Sequence, residues 1–187
     1  MKILAISGSL RADSLNTKLL YAAAELVDDE VEFEVWDGLK AVPPYDEDDD
    51  AGFAPLAVTR LRTAIAQADA VLIATPEYNA SIPGQLKNAI DWVSRPVATN
   101  PMRNLPVAVI GASTGMFGAV WAQAELKKVV ALIGARVLDA ELPVSQAPTR
   151  FDANGRLIDD EIRERLTEIV NGLVSSAQER EAIQATG

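Results

Sequence analysis

The stretch Ile3-Leu4-Ala5-Ile6-Ser7-Gly8-Ser9-Leu10-Arg11-Ala12-Asp13-Ser14-Leu15-Asn16 decides how the chain is organised. An apolar run, Ile3–Ile6, enters a short loop of small and hydroxyl residues with one arginine. A helical pattern follows at once, with Leu15, Leu19, Ala22, Ala23 and Leu26 at helix spacing. A strand that is apolar on both faces belongs in a parallel sheet covered by helices. The turn between strand and helix aims backbone N–H groups and a helix N-terminus at one point, where a phosphate dianion fits. Arg11 adds a planar fork for phosphate oxygens, and Ser9, Ser14 and Asn16 add side-chain donors. The same residues also suit an ordinary turn, with Gly8 at the bend and Asp13 or Ser14 as N-cap.

Two further runs, Ala70–Ala74 and Val107–Ile110, are as apolar as the first. Val31-Glu32-Phe33-Glu34-Val35 alternates, as an edge strand does, and Arg136–Ala140 is short and mixed. Helical stripes lie between and after them: Val58, Leu61, Ile65 and Ala68; Leu86, Ala89, Ile90 and Val93; Ala122, Leu126, Val129, Val130 and Ile133, ended by Gly134; and Ile162, Leu166, Ile169 and Leu173. The pattern is β-α repeated, with apolar strands one, three and four and less apolar strands two and five. It predicts an α/β fold, a flavodoxin-like doubly wound five-stranded parallel sheet of order 2-1-3-4-5 with helices on both faces. No linker or repeat divides the chain, so a single domain over residues 1–187 is expected.

Composition narrows the chemistry. A net charge of −10 argues against nucleic acid, whose backbone rewards clustered cations. No apolar run approaches the roughly 18 residues of a membrane span, and the first strand starts right after Met1-Lys2 without a leader pattern, so a cytoplasmic protein is expected. The chain has no cysteine and no histidine, which excludes thiol nucleophiles, disulfides, Ser-His-Asp triads and His/Cys zinc sites. No metal site is expected. A borrowed cofactor that brings its own redox chemistry suits this restriction. The acidic run Asp46–Asp50 fails as a calcium loop, because Ala51 and Ala57 stand where glycine and glutamate are needed, and reads as a solvated loop. The sequon Asn79-Ala80-Ser81 carries no meaning without a secretion signal.

Unusual loops follow the first, third and fourth strands, which are neighbours in the expected sheet and end on one edge. Open α/β sheets bind ligands there. The first loop lacks both G-x-x-x-x-G-K-[ST] and G-x-G-x-x-G, so it points to a single terminal phosphate such as that of FMN. The second, Thr75–Gly84, is fixed by two prolines and a glycine, and presents Tyr78 and Asn79 to a flat heterocycle, although a rigid turn with an exposed tyrosine accounts for it equally. The third, Gly111–Gly118, is small enough for close backbone approach, with Ser113 and Thr114 as donors. A glycine-rich strand-to-helix junction is the plainer account.

Together, Gly8-Ser9-Leu10-Arg11-x-x-Ser14-x-Asn16, Pro76-Glu77-Tyr78-Asn79, Pro83-Gly84-x-Leu86-Lys87-Asn88-Ala89-Ile90-Asp91-Trp92 and Ala112-Ser113-x-Gly115 resemble the NADPH-dependent FMN reductase family, and within it the small bacterial quinone, chromate and azo-dye reductases. The resemblance spans roughly Lys2 to Leu142. It implies that Ser9, Arg11, Ser14 and Asn16 hold the FMN phosphate, that Pro76, Glu77, Tyr78 and Asn79 line the isoalloxazine, and that Ser113, Thr114 and Gly115 border its other end. It further implies two-step hydride transfer, from NADPH or NADH to FMN and on to quinones or similar small-molecule acceptors.

Family members are dimers with the flavin near the shared surface, so the resemblance implies that the helix carrying Trp92 helps form that surface and that this chain is a homodimer or a dimer of dimers. Lys87 and Asp91, four apart, suit a simple pair on a helix face. The chain departs from the pattern at Ala80, where relatives carry an aromatic residue or glycine, and at Ala119, where they carry a second glycine. The alternative reading is a flavodoxin-like electron carrier without small-molecule turnover, whose acidic surface would suit basic partners; the long Pro76–Trp92 motif favours the reductase.

Overall fold

The computed structural model describes residues 1–186; Gly187, the last residue of the expected domain, lies outside the described residues. The elements are β1 (Lys2–Ser7), α1 (Leu15–Ala24), β2 (Glu32–Trp36), α2 (Glu47–Asp50), α3 (Leu56–Ala66), β3 (Ala70–Ala74), α4 (Gly84–Val93), β4 (Pro106–Ala112), α5 (Val120–Leu132), β5 (Arg136–Val137), β6 (Pro143–Val144) and α6 (Asp160–Thr186). The sheet is parallel with order β2-β1-β3-β4-β5, as the strand composition predicts.

The pleat explains why the three central strands are apolar throughout. Alternate residues face opposite sides. Leu4, Ile6, Val71, Ile73, Val107 and Val109 pack with α3, α4 and α5, whereas Ile3, Ala5, Ala70, Leu72, Ala108 and Ile110 pack with α1 and α6. β2, at the edge, keeps its polar residues for solvent-side pairing: Lys2 bridges Glu32 and Glu34 at 2.9 and 2.6 Å, which raises the Lys2 pKa.

Two expectations need correction. The fifth strand, expected over Arg136–Ala140, ends at Val137, and the chain returns as β6 to pair with the far end of β4 (Gly111 with Pro143, Ala112 with Val144). Between the two lie Asp139 and Glu141, exposed charged residues that suit a detour better than a ladder beside a buried strand. The acidic run is not simply a solvated loop. Asp46 caps a short helix by accepting from Asp48 N–H at 3.0 Å, and Asp50 forms a bidentate pair with Arg62 at 2.8 and 2.8 Å. Arg62 in turn donates to the Trp92 carbonyl at 2.7 Å. The hydrogen bonds from Arg62 hold the Asp50 carboxyl below the usual carboxylate range.

α4 explains why its sequence is so distinctive. Gln85, Asn88 and Trp92 recur at helix spacing and face the connection after β2. Gln85 donates to the carbonyls of Leu39 and Val42 (2.9 and 2.7 Å); Asn88 accepts from Tyr45 N–H (2.7 Å) and donates to Pro43 O (2.7 Å); Trp92 Nε1 donates to the same oxygen (2.8 Å). Tyr45 packs edge-on to the Trp92 ring at 4.9 Å. Trp92 is 0% exposed: its ring is consumed inside the chain, where its area and its N–H are both satisfied, so the Trp92 side chain itself is not offered to a shared surface. Lys87 and Asp91 pair at 2.6 Å on another face of the helix.

Candidate active site

The loops after β1, β3 and β4 converge at the carboxyl edge on one open cleft. Ser9, Arg11, Ser14, Leu15, Asn16, Pro76, Glu77, Tyr78, Ala112, Ser113 and Thr114 line it. Nine of the eleven residues expected to bind the cofactor are therefore on its wall. Asn79 and Gly115 are not: Asn79 is exposed at the tip of a turn, and the Gly115 N–H is folded back onto Ser113 Oγ at 3.0 Å. Leu15 and Ala112 join the wall although the sequence marks Leu15 only as part of a helical stripe and Ala112 only as part of a motif, because an apolar residue flanking a loop carries no chemical signature of its own.

The first loop spends its own backbone donors, Ser9 N–H on Ser7 Oγ (3.3 Å) and Arg11 N–H on Ser9 Oγ (3.4 Å), but leaves free the donors that face the cleft. Gly8 is pinned by its N–H to Ala74 O at 2.8 Å, and a side chain there would press on Leu86 Cδ2 at 2.8 Å. Ser14 is the N-cap of α1, its Oγ accepting from Thr17 N–H at 3.2 Å. The N–H groups of Leu15 and Asn16, in the first turn of α1, find no acceptor among the described residues. The nearby carboxylate, Asp13, pairs with Lys18, which lowers its pKa, and among the described residues no carboxylate is in ion-pair contact with the Arg11 guanidinium. A helix N-terminus, a free guanidinium and serine hydroxyls facing one cleft fit a phosphate group.

Asn16 has a different use from the expected one. Its side-chain amide donates to Ala112 O (3.0 Å) and accepts from Ala112 N–H (2.9 Å), which clamps α1 to the end of β4. That leaves mainly its backbone N–H to face a ligand.

The second loop folds as a tight hairpin. Tyr78 and Ser81 exchange backbone hydrogen bonds at 3.0 and 3.2 Å around Asn79 and Ala80, which have φ of 56° and 59°. Both central residues at positive φ is the requirement of a type I′ turn, a role for which asparagine is suited and alanine is not. The third loop is anchored from behind: Ser113 N–H donates to Val144 O (3.0 Å), Ala147 N–H to Ser113 O (3.0 Å) and Gln146 N–H to Gly115 O (2.9 Å). Gly118, at φ +59°, cannot carry a side chain, since a Cβ would lie 2.3 Å from the Pro143 backbone. Ala119 follows at φ 62°. Both alanines that depart from the family pattern thus occupy left-handed backbone.

An apolar rim flanks the cleft. Tyr78 on its wall is 50% exposed; on the third loop and α5, Met116, Phe117 and Trp121 are 76%, 59% and 48% exposed, and the last two rings meet at 4.8 Å. A cleft with a phosphate-binding end, two stiff loops and an open aromatic rim fits FMN.

Comparison with known proteins agrees. The family model described as NADPH-dependent FMN reductase matches residues 1–149. An NAD(P)H-dependent FMN reductase of Pseudomonas aeruginosa is 44% identical over 174 residues, 92% of this chain and 93% of that protein. A 2-hydroxy-1,4-benzoquinone reductase of a Burkholderia species is 36% identical, covering 96% of this chain and 98% of that one. The solved structure of FerB, a flavoenzyme NAD(P)H:(acceptor) oxidoreductase of Paracoccus denitrificans, superposes with a TM-score of 0.87 at 37% identity, covering 96% of this chain and 98% of that chain. The chain therefore belongs to the NADPH-dependent FMN reductase family, and it is an oxidoreductase that uses NAD(P)H and FMN.

Proposed function

We propose that the cleft holds FMN with its phosphate between Ser9, Arg11, Ser14 and the first backbone N–H groups of α1, including that of Asn16. Pro76, Glu77 and Tyr78 form the wall on one side of the ring, with Asn79 beyond it at the tip of the turn, and Ser113 and Thr114 border its other end, with Gly115 folded back behind Ser113. Bound there, FMN would supply the redox chemistry that links a nicotinamide donor to a quinone-like acceptor. The protein's part is to position and to exclude. Arg11 and the α1 N-terminus neutralise the phosphate, the type I′ turn and the prolines keep the second loop from following the ligand, and the exposed rim leaves room for a visitor. No side chain in the cleft needs to move a proton, in keeping with a chain that has no histidine.

The observation that carries this reading is the convergence of three loops on one cleft whose phosphate-binding end retains unpaired donors. The proposal extends to a single FMN-binding unit in the cytoplasm, where the nicotinamide donor is supplied, and to a homodimer or dimer of dimers. The exposed Met116, Phe117 and Trp121 beside the cleft support a second copy covering that rim.

The test is direct. FMN-loaded protein should lose its visible flavin absorbance on addition of NADPH or NADH and regain it on addition of a quinone. A flavin that neither nicotinamide bleaches would contradict the reading. Light scattering of the loaded protein should give twice or four times the chain mass.

A further inference from the structure

Glu77 stands in the loop after β3, yet its carboxylate is committed to α5. Its Oε2 accepts from Trp121 N–H at 3.0 Å and from Ala122 N–H at 3.1 Å. These are first-turn donors without a partner inside the helix, and the residue at the N-cap, Ala119, has no side-chain oxygen to offer. The cap is delivered instead from another loop. The same helix returns a second tie, with Glu125 Oε2 accepting from Ile82 N–H at 3.4 Å. Both flanks of the hairpin turn are thus held by α5, whose N-terminal end follows directly from the third loop. Glu77 also lies on the cleft wall.

We propose that Glu77 is a positioning residue with an electrostatic role, an inference that rests on the FMN reading above. Its carboxylate fixes the two ring-facing loops relative to each other, and its charge keeps bound flavin a strong reductant. A carboxylate on the wall disfavours the negative charge that a flavin gains on reduction, and it offsets the positive end of α5 that would otherwise attract that charge. Both effects hold the reduction potential down, so that electrons leave readily for the acceptor.

Two variants separate the parts. Glu77→Gln keeps one acceptor oxygen for the two N–H groups and removes the charge; Glu77→Ala removes both. In Glu77→Gln, reduced FMN should be held about tenfold more tightly relative to oxidised FMN than in the parent protein, a rise of about 30 mV in the two-electron potential. Reoxidation by a quinone should slow accordingly, with amide exchange at Trp121 and Ala122 close to that of the parent. In Glu77→Ala, exchange at those two amides should quicken at least tenfold even without flavin, and FMN affinity should fall.

Unchanged exchange in Glu77→Ala would overturn the coupling, and an unmoved potential in Glu77→Gln would overturn the electrostatic role. The exchange measurement needs no flavin, so it still decides the coupling if FMN fails to bind; that failure would instead sink the function proposed above.

Discussion

The loop after β1 and the helix α4 make opposite use of the same kinds of polar residue. On α4, the amides of Gln85 and Asn88 and the indole of Trp92 are all spent on backbone carbonyls and an N–H of the 39–45 connection. In the loop and the first turn of α1, the Arg11 guanidinium and the N–H groups of Leu15 and Asn16 are left unspent. The Trp92 indole is buried and must be paired, and the half-buried amides of Gln85 and Asn88 are spent on the same connection. A donor that stays free at the rim of a cleft has a ligand as its natural partner. The longest and most recognisable motif in the chain is therefore largely scaffold, and the functional end of the site is the part with fewer fixed contacts.

The largest effect should come from breaking the scaffold. Trp92→Ala removes a fully buried ring together with its bond to Pro43, and should cost about 3–5 kcal/mol of folding stability. Denaturant unfolding measures this, and the FMN affinity of the fraction that remains folded should change little. The complementary change, Arg11→Ala, should weaken FMN binding by about 1.5–3 kcal/mol, the worth of a hydrogen bond to a charged group. Its melting temperature without FMN should match the parent protein, because the guanidinium holds no structural ion pair among the described residues. If Arg11→Ala unfolds the protein, or Trp92→Ala abolishes binding while leaving stability intact, the contrast between the two regions is wrong.

An acid titration sharpens the scaffold side. Arg62 lowers the folded-state pKa of Asp50 below its unfolded value of about 3.9. The stabilisation from this pair is therefore fully present above that value and is lost as pH falls through the lower folded pKa. Asp50→Asn should be less stable than the parent at neutral pH, with the gap narrowing as the pH is taken below about 4. A gap that stays constant from neutrality to pH 2 would remove the charge from the explanation.

The smallest effect belongs to the second loop. Ala80→Gly relieves left-handed strain at an exposed turn and should gain about 0.5 kcal/mol in a thermal melt. Ala119→Gly should gain less, because Ala119 is buried and its methyl group packs where glycine would leave space.

Much of this was legible in the sequence, because strand burial and helix periodicity are written residue by residue. The apolar runs at Ile3–Ile6, Ala70–Ala74 and Val107–Ile110 located the centre of the sheet, and the alternation around Phe33 located its edge. Ser14 could be foreseen as a cap, since hydroxyl residues before an apolar stripe act locally. β6 was not legible, because two residues are too short to show a period. Nor were the uses of Glu77, Asn16 and Trp92, each of which depends on a partner distant in sequence: α5 for Glu77, Ala112 for Asn16 and Pro43 for Trp92. The departures at Ala80 and Ala119 were visible as residues, but the sign of φ that gives them meaning was not.

The central claim, that the loops after β1, β3 and β4 jointly bind FMN, is tested most directly by a crystal structure of the protein grown with FMN. The account predicts density for the phosphate against Arg11, Ser9 and the first turn of α1, and for the ring between the Pro76–Asn79 and Ser113–Gly115 loops. Flavin bound elsewhere, or a phosphate turned away from Arg11, would contradict it.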